Sequence, residues 1–222
     1  MKKYVAFCDI LGFSNSVLAS FEDTIKVYKE FMKAVKQSPF SEKATVSIYS
    51  DSILVVGDDV VDVICTVQLL YWVALRHNWL IRGGIAYGNY WKESDENNLY
   101  IVSEALVKAV ALEKTIKRPI IAVSDEIEIG LQIWVSRFEH GIFTCPALRF
   151  DDITFVNPFN NYWFASAEHS LKELMVQYPA SEEKYLWLLS LVESIKREDF
   201  LIPQNVVDLL TEQGILVPGK AP

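Results

Sequence analysis

The hydrophobic positions of this chain change period several times, and each change marks an element. Residues 3–9 form a near-continuous apolar run, Tyr4-Val5-Ala6-Phe7-Cys8, closed by Asp9, which reads as a buried strand ending in a polar residue. Leu11-Gly12-Phe13-Ser14 follows as a tight turn opening toward a helix. Over 22–37, Ile25, Val27, Tyr28, Phe31, Met32 and Val35 recur at helical spacing, and Ser38-Pro39 ends that helix. Two strand-like runs, 44–49 and 52–57, flank Ser50-Asp51, a hairpin signal with Asp51 at or beside its tip. A long helix over 59–77 comes next. The strand at 79–87 is interrupted by Gly83-Gly84, where a backbone or a ligand must come close.

Residues 92–98 read as a polar surface loop, 104–117 as a helix and 119–123 as a short strand. Farther on, short strands at 141–144 and 153–156 extend the sheet, and helices at 168–177, 182–195 and 204–213 close the chain. This order suits an α+β fold, a mostly antiparallel sheet with helices. No linker separates a second domain, so the expectation is one domain over 1–222, with a core to about 125 and a helical C-terminal extension from about 126.

Composition narrows the function. The 222 residues are 51% hydrophobic and 23% charged, the balance of a folded protein. A net charge of −8 argues against sequence-independent DNA binding, which needs a basic footprint, but not against a nucleotide whose phosphates are neutralised by metal ions. Cys8, Cys65 and Cys145 are scattered, and neither a disulfide framework nor a zinc cluster is signalled. Asp9 interrupts the first apolar run too early for a signal peptide, and the run 60–75 contains Asp62 and Gln68 and is too short to span a membrane. A cytoplasmic location is expected.

The candidate chemistry lies in Asp9 and Asp51. A strand end and a hairpin tip, if paired side by side, send both carboxylates from one edge of the sheet. Two anionic oxygen donors with an open mouth suit Mg²⁺ or Mn²⁺, which keep water or phosphate as their other ligands. Two such ions could activate an attacking oxygen and stabilise a leaving phosphate. The amides of Leu11, Gly12, Phe13 and Ser14 could cradle phosphates. Against this stands the plain reading of Asp9 as a cap or turn residue and Asp51 as a turn former. Tyr49 shares a sheet face with Asp51 by strand alternation and either meets a base or packs on a helix. Arg82 either contacts phosphate or base, or forms a surface ion pair. His77, His140 and His169 fit surface or helix-end roles, and no Ser-His-Asp set, P-loop or dinucleotide fingerprint is present.

The segment Phe7-Cys8-Asp9-Ile10-Leu11-Gly12-Phe13-Ser14 resembles the first metal motif of the class III nucleotidyl cyclases. Tyr49-Ser50-Asp51-Ser52 falls where that family carries its second metal aspartate. Arg82-Gly83-Gly84-Ile85-Ala86-Tyr87-Gly88 resembles the strand after the long helix, and Ala105-Leu106-Val107 to Leu112-Glu113 resembles the next helix, which typically ends in a Leu-Glu pair. The resemblance covers about the first 120 residues and is nearest to the bacterial Pycsar pyrimidine cyclases. It implies a ferredoxin-like, palm-like core and a metal site made by Asp9, Ile10 and Asp51; Tyr49 and Arg82 are the candidates for base contacts. It also implies a homodimer that makes cyclic UMP, or second cyclic CMP, as a messenger for a separate effector in antiphage defence.

Purine cyclases place an Asn and an Arg on the helix that ends in Leu-Glu. Val107 and Ala111 stand at those positions here and can do neither job, so Arg82, Lys108 or Lys114 would have to supply the cation. The alternatives are a purine cyclase with altered catalytic groups, or a nucleotide-binding or dimerisation module without activity.

Overall fold

Strand β1 (Lys2–Ile10) is the centre of the sheet, because its alternate side chains are apolar on both sides and demand cover on both faces. In the computed structural model, which describes residues 1–37, 43–96, 98–199 and 201–216, β1 pairs antiparallel with β3 (Ser52–Gly57) on one edge. On the other edge it pairs antiparallel with β4 (Ile81–Ser94). β2 (Ala44–Tyr49) lies outside β3, β6 (Ile121–Val123) runs parallel beyond β4, and β5 (Leu99–Ser103) pairs with the far end of β4. These strands belong to the first of two compact units, Met1–Ile127 and Glu128–Pro222.

The pleat sorts the two faces of the sheet. Ala6, Cys8 and Ile10 are fully buried on one of them. Helix α3 (Val60–Leu75) packs against this face, capped by Asp59, whose carboxylate accepts from the amides of Val61 and Asp62 at 2.8 and 3.2 Å. Before it come α1 (Phe13–Ala19) and the amphipathic α2 (Phe21–Lys36). Val5, Phe7 and Asp9 point to the opposite face, where α4 (Glu104–Thr115) lies along β4. A Cβ built on Gly84 would come within 2.6 Å of the Ala109 carbonyl oxygen, so glycine is what lets this helix sit so low on the strand. Helix α4 also reaches β3 on this face, where Leu54 clusters with Val5, Tyr90 and Ala105, and Val56 packs against them with Leu106; on β2, Thr45 and Tyr49 are exposed and Ser47 is partly so.

The second unit contains α5 (Leu131–His140), the hairpin of β7 (Ala147–Phe150) and β8 (Ile153–Val156), and α6 (Asn161–Phe164). Asp151 and Asp152, at φ of 51° and 59°, make the tight turn of the hairpin. Helices α7 (Ala167–Gln177) and α8 (Glu182–Lys196) pack together, and α9 (Gln204–Glu212) ends the described chain.

Several expectations need correction. The polar stretch 92–98 is not a simple loop: β4 runs on to Ser94 and β5 starts at Leu99, the two forming a ribbon whose side chains there are largely exposed. A ribbon open on both faces has no need of apolar alternation. The strand expected at 141–144 is a turn around Gly141 (φ 88°), whose carbonyl accepts from the Thr144 amide at 3.2 Å, and the strand is Ala147–Phe150 instead. Helices α1, α5 and α6 are additions. The Ser38-Pro39 helix stop lies outside the described residues.

Candidate active site

The site forms where β1 runs out. The Ile10 amide donates to the Asp51 carbonyl at 3.0 Å, and the Leu11 amide donates to the Leu80 carbonyl at 2.9 Å. These bonds draw the hairpin tip and the start of β4 onto the end of β1. Ser50, at φ 57°, makes the tip tight enough to present Asp51 beside Asp9. The charge of Asp51 bears directly on Asp9. Burial and the neighbouring charge of Asp51 push the Asp9 carboxyl up to about 6, with Glu113 adding to the rise and Arg82 opposing it. Tyr28 of α2 also feels the site's charge: its hydroxyl is raised by burial and by the charge of Asp51.

Arg82 stands directly across the ladder from Asp9. Its Nη2 is 3.9 Å from Asp9 Oδ2 and in contact with Glu113 of α4, whose side chain is only 7% exposed. Arg82 is therefore held in a half-buried ion pair, not on the surface. Ser52 lies opposite both Asp9 and Tyr49, so Tyr49 is on the same face one strand farther out, with its ring half exposed.

The other sequence candidates divide. The amide of Leu11 is engaged by Leu80 and drops out of the phosphate-binding set. The amides of Phe13 and Ser14 open helix α1, where no intrahelical acceptor exists for them, while the Phe13 ring is buried against Tyr28 and Trp79. The Ile10 side chain is buried, which leaves its carbonyl as the only metal donor it has. Val107 and Ala111 lie one turn apart on the exposed side of α4. Lys108 is paired with Glu104 at 3.1 Å and Glu126 at 2.8 Å, so Arg82 is the one of the three candidate cations seen against Asp9. Sequence reasoning missed Tyr28 and Glu113 as members of the site. Tyr28 counted only as an apolar position of α2, and Glu113 only as half of a Leu-Glu pair.

The donor set suits a hard divalent cation. Two carboxylates held together without a cation destabilise one another, as the raised Asp9 shows, and a bound ion would relieve this. Among the described residues no group of three or more His, Cys, Asp and Glu side chains converges. The protein would thus offer carboxylate and carbonyl oxygens and leave room for water or phosphate, as Mg²⁺ requires. Among the same residues, no helix is long and apolar enough to cross a membrane.

No family model matches this chain, and no curated protein matches it. Solved structures with a similar fold include the adenylyl cyclase CyaB from P. aeruginosa, at 13% identity and a TM-score of 0.48 over 72% of this chain and 95% of that one. Another is the guanylate cyclase domain of RhGC from Catenaria anguillulae in complex with GTP, at 18% identity and a TM-score of 0.44 over 70% of this chain and 96% of that one. A bacterial light-regulated adenylyl cyclase is similar at 14% identity, with a TM-score of 0.45 over 78% of this chain and 97% of that one.

Proposed function

We propose that this protein is a nucleotidyl cyclase that converts a pyrimidine nucleoside triphosphate, UTP first and CTP second, to the 3′,5′-cyclic nucleotide and pyrophosphate. The observation that carries the reading is the Asp9–Asp51 carboxyl pair at the open end of β1, with Arg82 across the ladder. Asp9, Asp51 and the Ile10 carbonyl would hold two Mg²⁺ or Mn²⁺ ions. Bound there, such ions would lower the pKa of the substrate's 3′-hydroxyl and offset charge on the leaving pyrophosphate. The 3′-oxygen forms a bond to the α-phosphorus as the bond to the bridging oxygen breaks, and the hydroxyl proton passes to solvent.

The chain's own part is placement and charge. The amides of Gly12, Phe13 and Ser14 face the phosphates, Tyr49 offers its exposed ring to the base, and Arg82 supplies the fixed cation. The exposed Thr45 and Tyr49 of the edge strand β2 support a homodimer in which the partner closes the cleft. The pyrimidine preference, and the role of the product as an antiphage messenger to a separate effector, rest on the sequence resemblance.

Incubation with each of the four ribonucleoside triphosphates and Mn²⁺, followed by product analysis, tests the reading. Cyclic UMP is expected as the main product. Cyclic AMP or cyclic GMP instead would replace the pyrimidine assignment with a purine one. No cyclic product from folded protein would favour a binding module.

A further inference from the structure

The C-terminal turn of α4 carries a buried carboxylate that the proposed reaction leaves unused. Glu113 lies beneath the helix on the sheet face that also bears Asp9, and its side chain touches Arg82 Nη2. Arg82 thus sits between two carboxylates. Its distance of 3.9 Å from Asp9 Oδ2 exceeds hydrogen-bond reach, although the two residues are direct neighbours in the ladder. A guanidinium left free beside Asp9 would close on it in a paired, charge-assisted contact. Such a contact would occupy the oxygen lone pairs that a metal ion needs.

The structure shows what prevents this. Gly83 and Gly84 let β4 run close to both its neighbours: a Cβ on Gly83 would meet the Phe7 carbonyl oxygen at 2.5 Å, and one on Gly84 the Ala109 carbonyl oxygen at 2.6 Å. Glu113, next to the Leu112 that packs on Gly84, reaches Arg82. Arg82 Nε and Glu113 Oε1 are both shut away from solvent without a well-formed hydrogen bond, so the pair is held by charge and burial and not by ideal geometry. Removing one member of such a pair leaves the other seeking a new partner. The nearest carboxylate to Arg82 is then Asp9.

We infer that Glu113 is a positioning residue: it holds the Arg82 guanidinium back from Asp9 and so keeps the Asp9 carboxylate free for a divalent cation. The inference rests on the proposed metal site, and its test reads metal binding directly. Mn²⁺ is titrated calorimetrically, in the absence of nucleotide, into the full chain, into Glu113→Gln and into Glu113→Gln/Arg82→Gln. The single substitution is expected to weaken Mn²⁺ binding about tenfold, the scale of a lost outer-shell partner. The double substitution, which removes the guanidinium that would close on Asp9, is expected to restore wild-type affinity or better. Glu113→Asp, which keeps the charge, is expected to stay nearer to wild type than Glu113→Gln.

A merely structural Glu113 would not be rescued by removing a second buried side chain. Wild-type affinity in Glu113→Gln, or a double variant as weak as the single one, overturns the inference while leaving the cyclase reading in place. A wild-type chain that binds no Mn²⁺ overturns both.

Discussion

The amide of Ile10 donates to the carbonyl of Asp51 at 3.0 Å, and this main-chain bond fixes the spacing of the two carboxylates. Neither Asp9 nor Asp51 can relax away from the other without breaking the join between the end of β1 and the hairpin tip. The site therefore stores like-charge repulsion that a bound cation would release.

The first prediction follows from that repulsion. The Asp9 carboxyl is raised to about 6 in the folded chain, from 3.8 for the free group. A raised carboxyl contributes stability at low pH, below its unfolded value, and loses it as pH rises through the folded value. In metal-free protein, stability should fall between pH 4 and 6 by an amount traceable to Asp9. Asp9→Asn should remove that fall and stabilise the apo protein above pH 6 by on the order of 1–2 kcal/mol, after allowing for solvent screening. The same variant should lose turnover. Urea denaturation across the pH range measures the first effect, and an unchanged pH slope in Asp9→Asn would show that the charge of Asp9 is relieved by other means.

Tyr49 separates specificity from metal binding. Its ring is half exposed on the sheet face shared with Asp9, so its removal should cost little stability. Tyr49→Ala should raise KM for the preferred nucleotide or flatten the preference among bases, at about the 1–3 kcal/mol scale of base–aromatic stacking. Its Mn²⁺ affinity should match that of the wild type. Unchanged base preference with normal turnover would take Tyr49 out of the site.

Gly84 tests how α4 is seated. A methyl group there would meet the Ala109 carbonyl oxygen at 2.6 Å and the Leu112 Cβ at 2.9 Å, a clash with backbone that side-chain rotation cannot relieve. Gly84→Ala should destabilise the chain by about 2–3 kcal/mol, as over-packing does. Because α4 carries Glu113, it should also disturb Arg82. Thermal melting that leaves the variant within about 0.5 kcal/mol of wild type, the range of an ordinary surface change, would mean that the helix lifts without strain.

Much of this frame was legible in the sequence because it rests on local periodicity. The runs at 44–49, 52–57 and 153–156 alternate or stay apolar over a whole strand, and turn residues bound them, so the observed strands have those limits. Helix α1 escaped because Phe13–Ala19 is only seven residues long and contains two serines and an asparagine, residues that favour turns. Strand β5 escaped because an apolar run as short as Leu99–Val102 is equally the lead-in to a helix. The contact of Arg82 with Glu113 and the influence of Asp51 on Tyr28 join residues far apart in the chain. No window of sequence contains both partners, and only the register of the ladder and the height of α4 create the meeting.

The last prediction concerns a second copy of the chain. On the sheet face bearing Asp9, Thr45 and Tyr49 of the edge strand β2 are exposed, and Val107 of α4 is 70% exposed. A two-fold axis beside the β2 edge would bring α4 of one protomer across the Asp9–Asp51 mouth of its partner, in two equivalent places. Val107 would then face the triphosphate, and Val107→Glu should abolish turnover by adding a negative charge there while sparing Mn²⁺ binding. Asp9→Asn should abolish turnover from the other side of the cleft. Mixed in equal amounts, the two inactive variants should regain about one quarter of wild-type activity, since half the dimers are mixed and each of those holds one intact site. Sedimentation of the mixture checks that dimers are present. Dimers without recovered activity would place both halves of the site on one chain, and a fully active monomer would remove the need for a partner altogether.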